Sequence, residues 1–125
     1  MRSSISQRAT ILFGHGSRDP MWHKPMQAVA ERVRQIDSHT QVRCAYLELT
    51  EPDLPTCVAE LVQTGVRAVS IVPMFLGVGR HAREDLPQLL TELREQHPQV
   101  EFHLQPAVGE NQRVIDLLAH IALSD

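Results

Sequence analysis

Residues 66–76 read VRAVSIVPMFL, the most strongly apolar stretch in this 125-residue chain. A continuous apolar run of that length suits a strand buried on both faces, as at the centre of a parallel sheet. Pro73 has no N–H to give a ladder, so the strand is expected to end or bulge there. Residues 77–84 (GVGRHARE) read as a loop. Asp85-Leu86-Pro87 then reads as a helix start, with Leu86, Leu89, Leu90 and Leu93 as the buried stripe and Pro98 past its end.

The same alternation extends in both directions. Upstream, Thr10-Ile11-Leu12-Phe13 is a short buried strand closed by Gly14 and Gly16. A long loop follows, because Pro20 and Pro25 disfavour a helix interior. A helix from about Met21 or Lys24 to Ile36 carries Met26, Val29, Ala30, Val33 and Ile36 at helical spacing. Residues 41–49 read as a second strand, with Val42, Cys44, Tyr46 and Glu48 on one face. Asp53 looks like an N-cap before Leu54-Pro55, and Gly65 a helix stop. Downstream, residues 100–104 read as a fourth strand. Residues 110–123 form a last helix with Val114, Leu117, Leu118 and Ile121 expected to face inward.

The order βαβαβαβα predicts an α/β fold, a single open, mainly parallel four-stranded sheet with helices on both faces. At 14.1 kDa the chain is read as one domain over residues 1–125. The formal net charge of −3 argues against a nucleic-acid binder, although a local basic rim is compatible with it. No apolar run is long enough for a membrane span, and the polar MRSSISQRAT start lacks a signal-peptide core. A cytoplasmic location is expected. Lys24 is the only lysine, which leaves one candidate for Schiff-base chemistry. Cys44 and Cys57 match neither a redox pair nor a zinc knuckle and read as small buried hydrophobes.

In open parallel sheets ligands sit outside the carboxyl ends of the strands. Gly14-His15-Gly16-Ser17-Arg18 follows the first strand, Glu48 closes the second, and Arg80-His81 follows the third. Glycines on either side leave the His15 imidazole uncrowded. Two strand-end histidines, each beside an arginine, with a carboxylate on the same rim, fit a divalent-metal site with open positions. They fit equally a pair of bases for proton removal. His23 could assist from the first loop, whereas His39, His97, His103 and His120 read as structural or solvated. Trp22 could cover a flat ligand, or serve as packing.

The stretches GlyHisGlySerArgAspPro with Trp22 and Pro25 behind it, TyrLeuGlu at 46–48, and ValProMetPheLeu followed by GlyArgHis and AspLeuPro closely resemble the CbiX/SirB-type sirohydrochlorin chelatases. The resemblance covers nearly the whole chain, in its short single-domain form. It implies insertion of cobalt or iron, with nickel in some relatives, into sirohydrochlorin during cobalamin or sirohaem synthesis, without an organic cofactor. It maps the two metal-binding histidines onto His15 and His81 and the acidic residue onto Glu48. It implies a homodimer holding the macrocycle between protomers. The substrate is rich in carboxylates, so Gly14, Ser17, Arg18, Arg80 and Arg83 are the expected anchors. The rival readings are a metal or tetrapyrrole carrier that does not turn over, a phosphate-handling hydrolase using His15, and a degenerate half-domain partnering a larger chelatase.

Overall fold

A computed structural model of the chain describes residues 7–124, with His81 described by its backbone alone. Residues 1–6, part of the polar start, lie outside the described residues. The elements run β1 (Arg8–Gly14), a 3-10 turn (Pro20–His23), α1 (Lys24–Ile36), β2 (Gln41–Tyr46), α2 (Leu54–Gln63) and β3 (Ala68–Pro73). They continue through α3 (Arg80–Gln96), β4 (Glu101–Leu104), a second 3-10 turn (Val108–Glu110) and α4 (Gln112–Ala122). The expected alternation of strands and helices is present.

The four strands form one parallel sheet in the order β2-β1-β3-β4. The chain steps outward from β1 to β2, then back across to β3 and on to β4. Right-handed crossovers therefore put α1 on one face and α2 and α3 on the other. Side-chain alternation agrees with this. Ile11, Phe13, Val69 and Ile71 join Cys57, Val58, Leu61, Leu86 and Leu93 in the larger core. Leu12 turns the other way, to Ala30 of α1 and Val42 of β2. Removing a fully buried leucine such as Leu61 leaves a cavity that costs about 2–5 kcal/mol.

Three expectations are corrected. Strand β2 ends at Tyr46, not at residue 49, because the chain bends through residues 47–51 and Leu49 takes a φ of 65°. Helix α3 begins at Arg80, so residues 80–84 are helical and Asp85 is not its cap. The cause is tertiary: Ala82 and Leu86, one turn apart, are both buried in the larger core and anchor the added turn. Pro87 then lies inside the helix, but it and Arg83 are exposed, so water can replace the bond Pro87 cannot donate. Helix α4 exists, yet none of its residues is buried, and Val114, Leu117, Leu118 and Ile121 do not face inward. The segment leading into α4 is hydrogen-bonded to the end of β3 and its following loop, which holds the helix off the sheet.

Both cysteines are free, Cys57 buried and Cys44 half-buried. Burial pushes the Cys57 thiol up to about 11, so it stays protonated and inert at neutral pH. Among the described residues no helix is long and apolar enough to cross a membrane.

Asp53 caps α2 as expected, accepting a 2.9 Å hydrogen bond from the Thr56 N–H. Thr56, through its side chain first and its backbone second, holds the Asp53 carboxyl below its usual value. A depressed carboxyl stabilises the fold above its unfolded-state value, and that stability disappears as pH falls through the folded value. Asp53→Ala is therefore expected to lower stability by about 1 kcal/mol at pH 7 in urea unfolding. The difference from the parent protein should begin to shrink as pH falls below about 4, the unfolded-state value.

Candidate functional site

Strands β1 and β3 are neighbours, so the segments after them leave the carboxyl edge side by side. Backbone hydrogen bonds continue past the strand ends and knit three segments together. Met74 donates to Phe13 (2.8 Å), Leu47 to Gly14 (2.9 Å) and Glu48 to His15 (3.0 Å). His15 is exposed at this edge. Its ring stacks at 4.5 Å on Phe75, which is buried and sits edge-on to Phe13 at 6.2 Å. The imidazole thus stands on an aromatic floor continuous with the core. Among the described residues none hydrogen-bonds its ring nitrogens, which leaves them for a ligand.

Gly16 makes this arrangement possible. Its φ is +93°, and a Cβ there would fall on the Glu48 carbonyl oxygen. Only glycine allows the β1 loop to turn so close against the segment carrying Glu48.

The rest of the loop is clamped. The Thr50 hydroxyl accepts from Ser17 N–H (3.0 Å) and donates to the Ser17 carbonyl (2.7 Å). The same carbonyl lies 2.9 Å from His23 Nε2, which is also 3.1 Å from Thr50 Oγ1. A carbonyl can only accept, so the His23 Nε2 carries a proton and donates to it. The His23 ring packs on Tyr46 at 4.7 Å. Ser17 Oγ accepts from Asp19 N–H, and Asp19 Oδ1 caps the 3-10 turn through Met21 N–H, each at 3.0 Å.

A cavity of about 310 Å³ opens here, lined by His15, Ser17, Trp22, His23, Tyr46 and Phe75 among others. Gly14 also lines it, whereas Trp22, 73% exposed, stands at its rim. Glu48 lies beside His15 along the backbone but lines a separate, wider depression of about 930 Å³ against α2. The two depressions share Tyr46, whose hydroxyl is pushed above its usual range by burial and then by nearby Cys44.

The remaining expected residues are distributed less tightly. Arg18 is exposed on the loop, outside the lining of the 310 Å³ cavity. Arg80 pairs with Glu84 at 3.1 Å one helical turn on, in an exposed bond that water weakens. Arg83 is exposed in the same first turn of α3. His81 is the second residue of α3 rather than a loop residue, and its side chain lies outside what is described. Among the described residues no three His, Cys, Asp or Glu side chains form a metal cage.

Sequence reasoning gave His23 a minor part and did not single out Thr50. Thr50 bonds His23 and Ser17 across 27 and 33 residues, and no local pattern encodes such contacts. Thr50→Val keeps the shape but strands the Ser17 N–H. It is expected to lower stability by about 1–3 kcal/mol in chemical unfolding, and to speed hydrogen exchange at the Ser17 amide.

The chain matches the CbiX family model over residues 9–123. A sirohydrochlorin cobaltochelatase of Methanococcus aeolicus is 34% identical over 82 residues, which cover 66% of this chain and 57% of that protein. A sirohydrochlorin ferrochelatase of Priestia megaterium is 30% identical over 111 residues, 88% of this chain and 41% of that protein. The matches therefore span less than two thirds of these relatives' own lengths. The crystal structure described as a cobalamin (vitamin B12) biosynthesis CbiX protein from Marinobacter aquaeolei superposes with a TM-score of 0.80. That protein is 32% identical, with 92% of this chain and 93% of that chain covered. On sequence and fold together, the chain belongs to the CbiX family.

Proposed function

We propose that this protein is a half-size, single-domain sirohydrochlorin chelatase of the cytoplasm, which inserts cobalt or iron into the tetrapyrrole. The observation that carries the reading is His15. It is an exposed imidazole on an aromatic floor, at the carboxyl edge of a parallel sheet, beside the segment that leads into α3. Relatives named for cobalt and for iron insertion support the same chemistry.

Insertion replaces two pyrrole protons with one divalent cation, so the site must deliver a metal and accept protons. His15 and His81 hold the cation as neutral imidazoles through few enough bonds to leave positions for the ring nitrogens. Glu48 supplies the carboxylate that takes a proton, and His23 Nδ1 is a second acceptor at the cavity. Trp22 at the rim covers the flat ring.

Charge placement supports an anionic substrate. Arg80 and Arg83 occupy the first turn of α3, where the helix dipole is positive and basic residues are unfavourable. A substrate carboxylate docking there relieves that repulsion and gains backbone N–H donors. Gly14, Ser17 and Arg18 supply the facing contacts from the β1 loop. No organic cofactor is needed, nickel is a third candidate metal, and a homodimer closes the site around the macrocycle.

The test is anaerobic metallation of sirohydrochlorin, followed by absorbance with cobalt, iron and nickel in turn. More than one turnover per site is expected with at least one metal. Either His15→Ala or His81→Ala should reduce the rate by about 100-fold or more. Binding that stops at one equivalent would assign a carrier instead. Phosphatase activity that survives His81→Ala would assign a hydrolase.

A further inference from the structure

The cavity behind His15 holds two side chains that metal insertion does not use. Met26 of α1 and Met74, just past the end of β3, both line it, as does His15 from the β1 loop. Three elements therefore bring two thioethers and an imidazole to one cavity of about 310 Å³. The Met26 sulfur lies close against the backbone beside His15. A Cβ on Gly14 would fall on its Sδ, so the glycine leaves the room the sulfur occupies. Met74 is fixed by its own N–H, which donates to the Phe13 carbonyl at 2.8 Å. Both methionines are only partly buried against the smaller cluster of Leu12, Ala30 and Val42, so neither is sealed in a core.

The rest of the lining decides what kind of ion fits. Among the described residues, no Asp, Glu, Lys or Arg lines this cavity, and Glu48 lines the separate depression against α2. A divalent ion drawn fully inside would lose its water with no carboxylate to offset its charge, a cost that rises with the square of that charge. A monovalent ion pays far less. Thioethers are neutral, polarizable donors that favour soft ions over hard ones. Trp22 stands at the rim, and an indole face attracts a cation. The clamp of Thr50 and His23 on Ser17 already holds the loop over the cavity, so the site is formed before anything binds. Cys44 is close by, its Sγ 3.9 Å from the Met26 carbonyl, but it is not part of the lining and burial raises its thiol above the usual value.

We propose that the His15 cavity is a binding site for a soft monovalent cation of the Cu(I) class, held by the Met26 and Met74 sulfurs and the His15 imidazole beneath Trp22. A few neutral, soft donors in a water-poor cavity suit Cu(I), whereas cobalt and iron gain little from sulfur of this kind. Leucine would fill the smaller cluster as well as methionine does, so the sulfur atom is what sets this cavity apart from packing. The site shares His15 with the metal delivery proposed above. An ion seated here takes that imidazole out of use, which makes the cavity a point at which copper stops metal insertion. That consequence rests on the chelatase reading, while the binding of the cation does not.

The test is an anaerobic titration with Cu(I), read against a chromogenic Cu(I) chelator and by the fluorescence of Trp22, the chain's only tryptophan. One equivalent is expected to bind and to quench Trp22, and Ag(I) should do the same without redox chemistry. Met26→Leu and Met74→Leu keep the volume and remove one sulfur each. Each is expected to weaken Cu(I) binding by at least about 10-fold while Co(II) binding changes by less than about 2-fold, because a harder ion gains little from a thioether. Cys44→Ser should bind Cu(I) as the parent protein does. Unchanged Cu(I) affinity in both leucine variants, loss of binding in Cys44→Ser, or binding without quenching of Trp22 would overturn the site. In the metallation assay, one equivalent of Cu(I) should stop insertion of cobalt or iron, and the chelator should restore it. Undiminished metallation at full Cu(I) occupancy sinks the sharing of His15. A parent protein that never metallates sirohydrochlorin counts against the chelatase reading alone, and the Cu(I) titration still decides the cation site.

Discussion

The parallel pairing of β1 between β2 and β3 is the constraint on which the rest of the structure depends. Ile11 and Phe13 point into the larger core and are fully buried, while the backbone on either side is bonded to a neighbour. The pairing does not stop where the strands stop. Met74, Leu47 and Glu48 extend the ladder to Phe13, Gly14 and His15, so the edge that carries His15 inherits the rigidity of the sheet. A ligand loop built in this way loses little conformational entropy on binding, because most of its order is already present in the free protein.

The β1–α1 connection shows how a long loop becomes a precise one. Thr50 meets both backbone groups of Ser17, His23 shares that carbonyl, and Asp19 caps the turn that follows. Gly16 lets this segment approach Glu48 as closely as it does. His15 is left outward, supported by Phe75 and Phe13. An imidazole on a rigid support with its nitrogens open is the geometry on which the proposed metal delivery rests. A closed cage of several ligands would hold the cation too well to release it to a ring.

The two faces of the sheet are unequal. One carries α2 and α3 over the larger core, whereas the other carries α1 over a smaller cluster. In a chain this small, the surface that goes unburied is a sizeable share of what could stabilise it. Helix α4, with no buried residue, adds little to either core.

The sequence by itself determined the alternation of strands and helices, the parallel sheet, and the placing of His15, Glu48 and His81 beyond successive strands. Those features follow from local periodicity and turn residues, which act over a few positions. It also located the Asp53 cap, a contact spanning three residues. Tertiary structure decided the rest, because contacts between distant residues outweigh local preference. Burial of Ala82 with Leu86 drew α3 back to Arg80 despite Pro87, which turned Arg80 and His81 from loop residues into a helix N-terminus. Thr50 became part of the site only when the fold brought it to Ser17 and His23. The stripe on α4 was legible as apolar, but its period says only that a face wants covering. Where that face stands is set by the segment before it, which Gln105 N–H to Ile71 and Gly109 N–H to Phe75 tie to β3 and its loop.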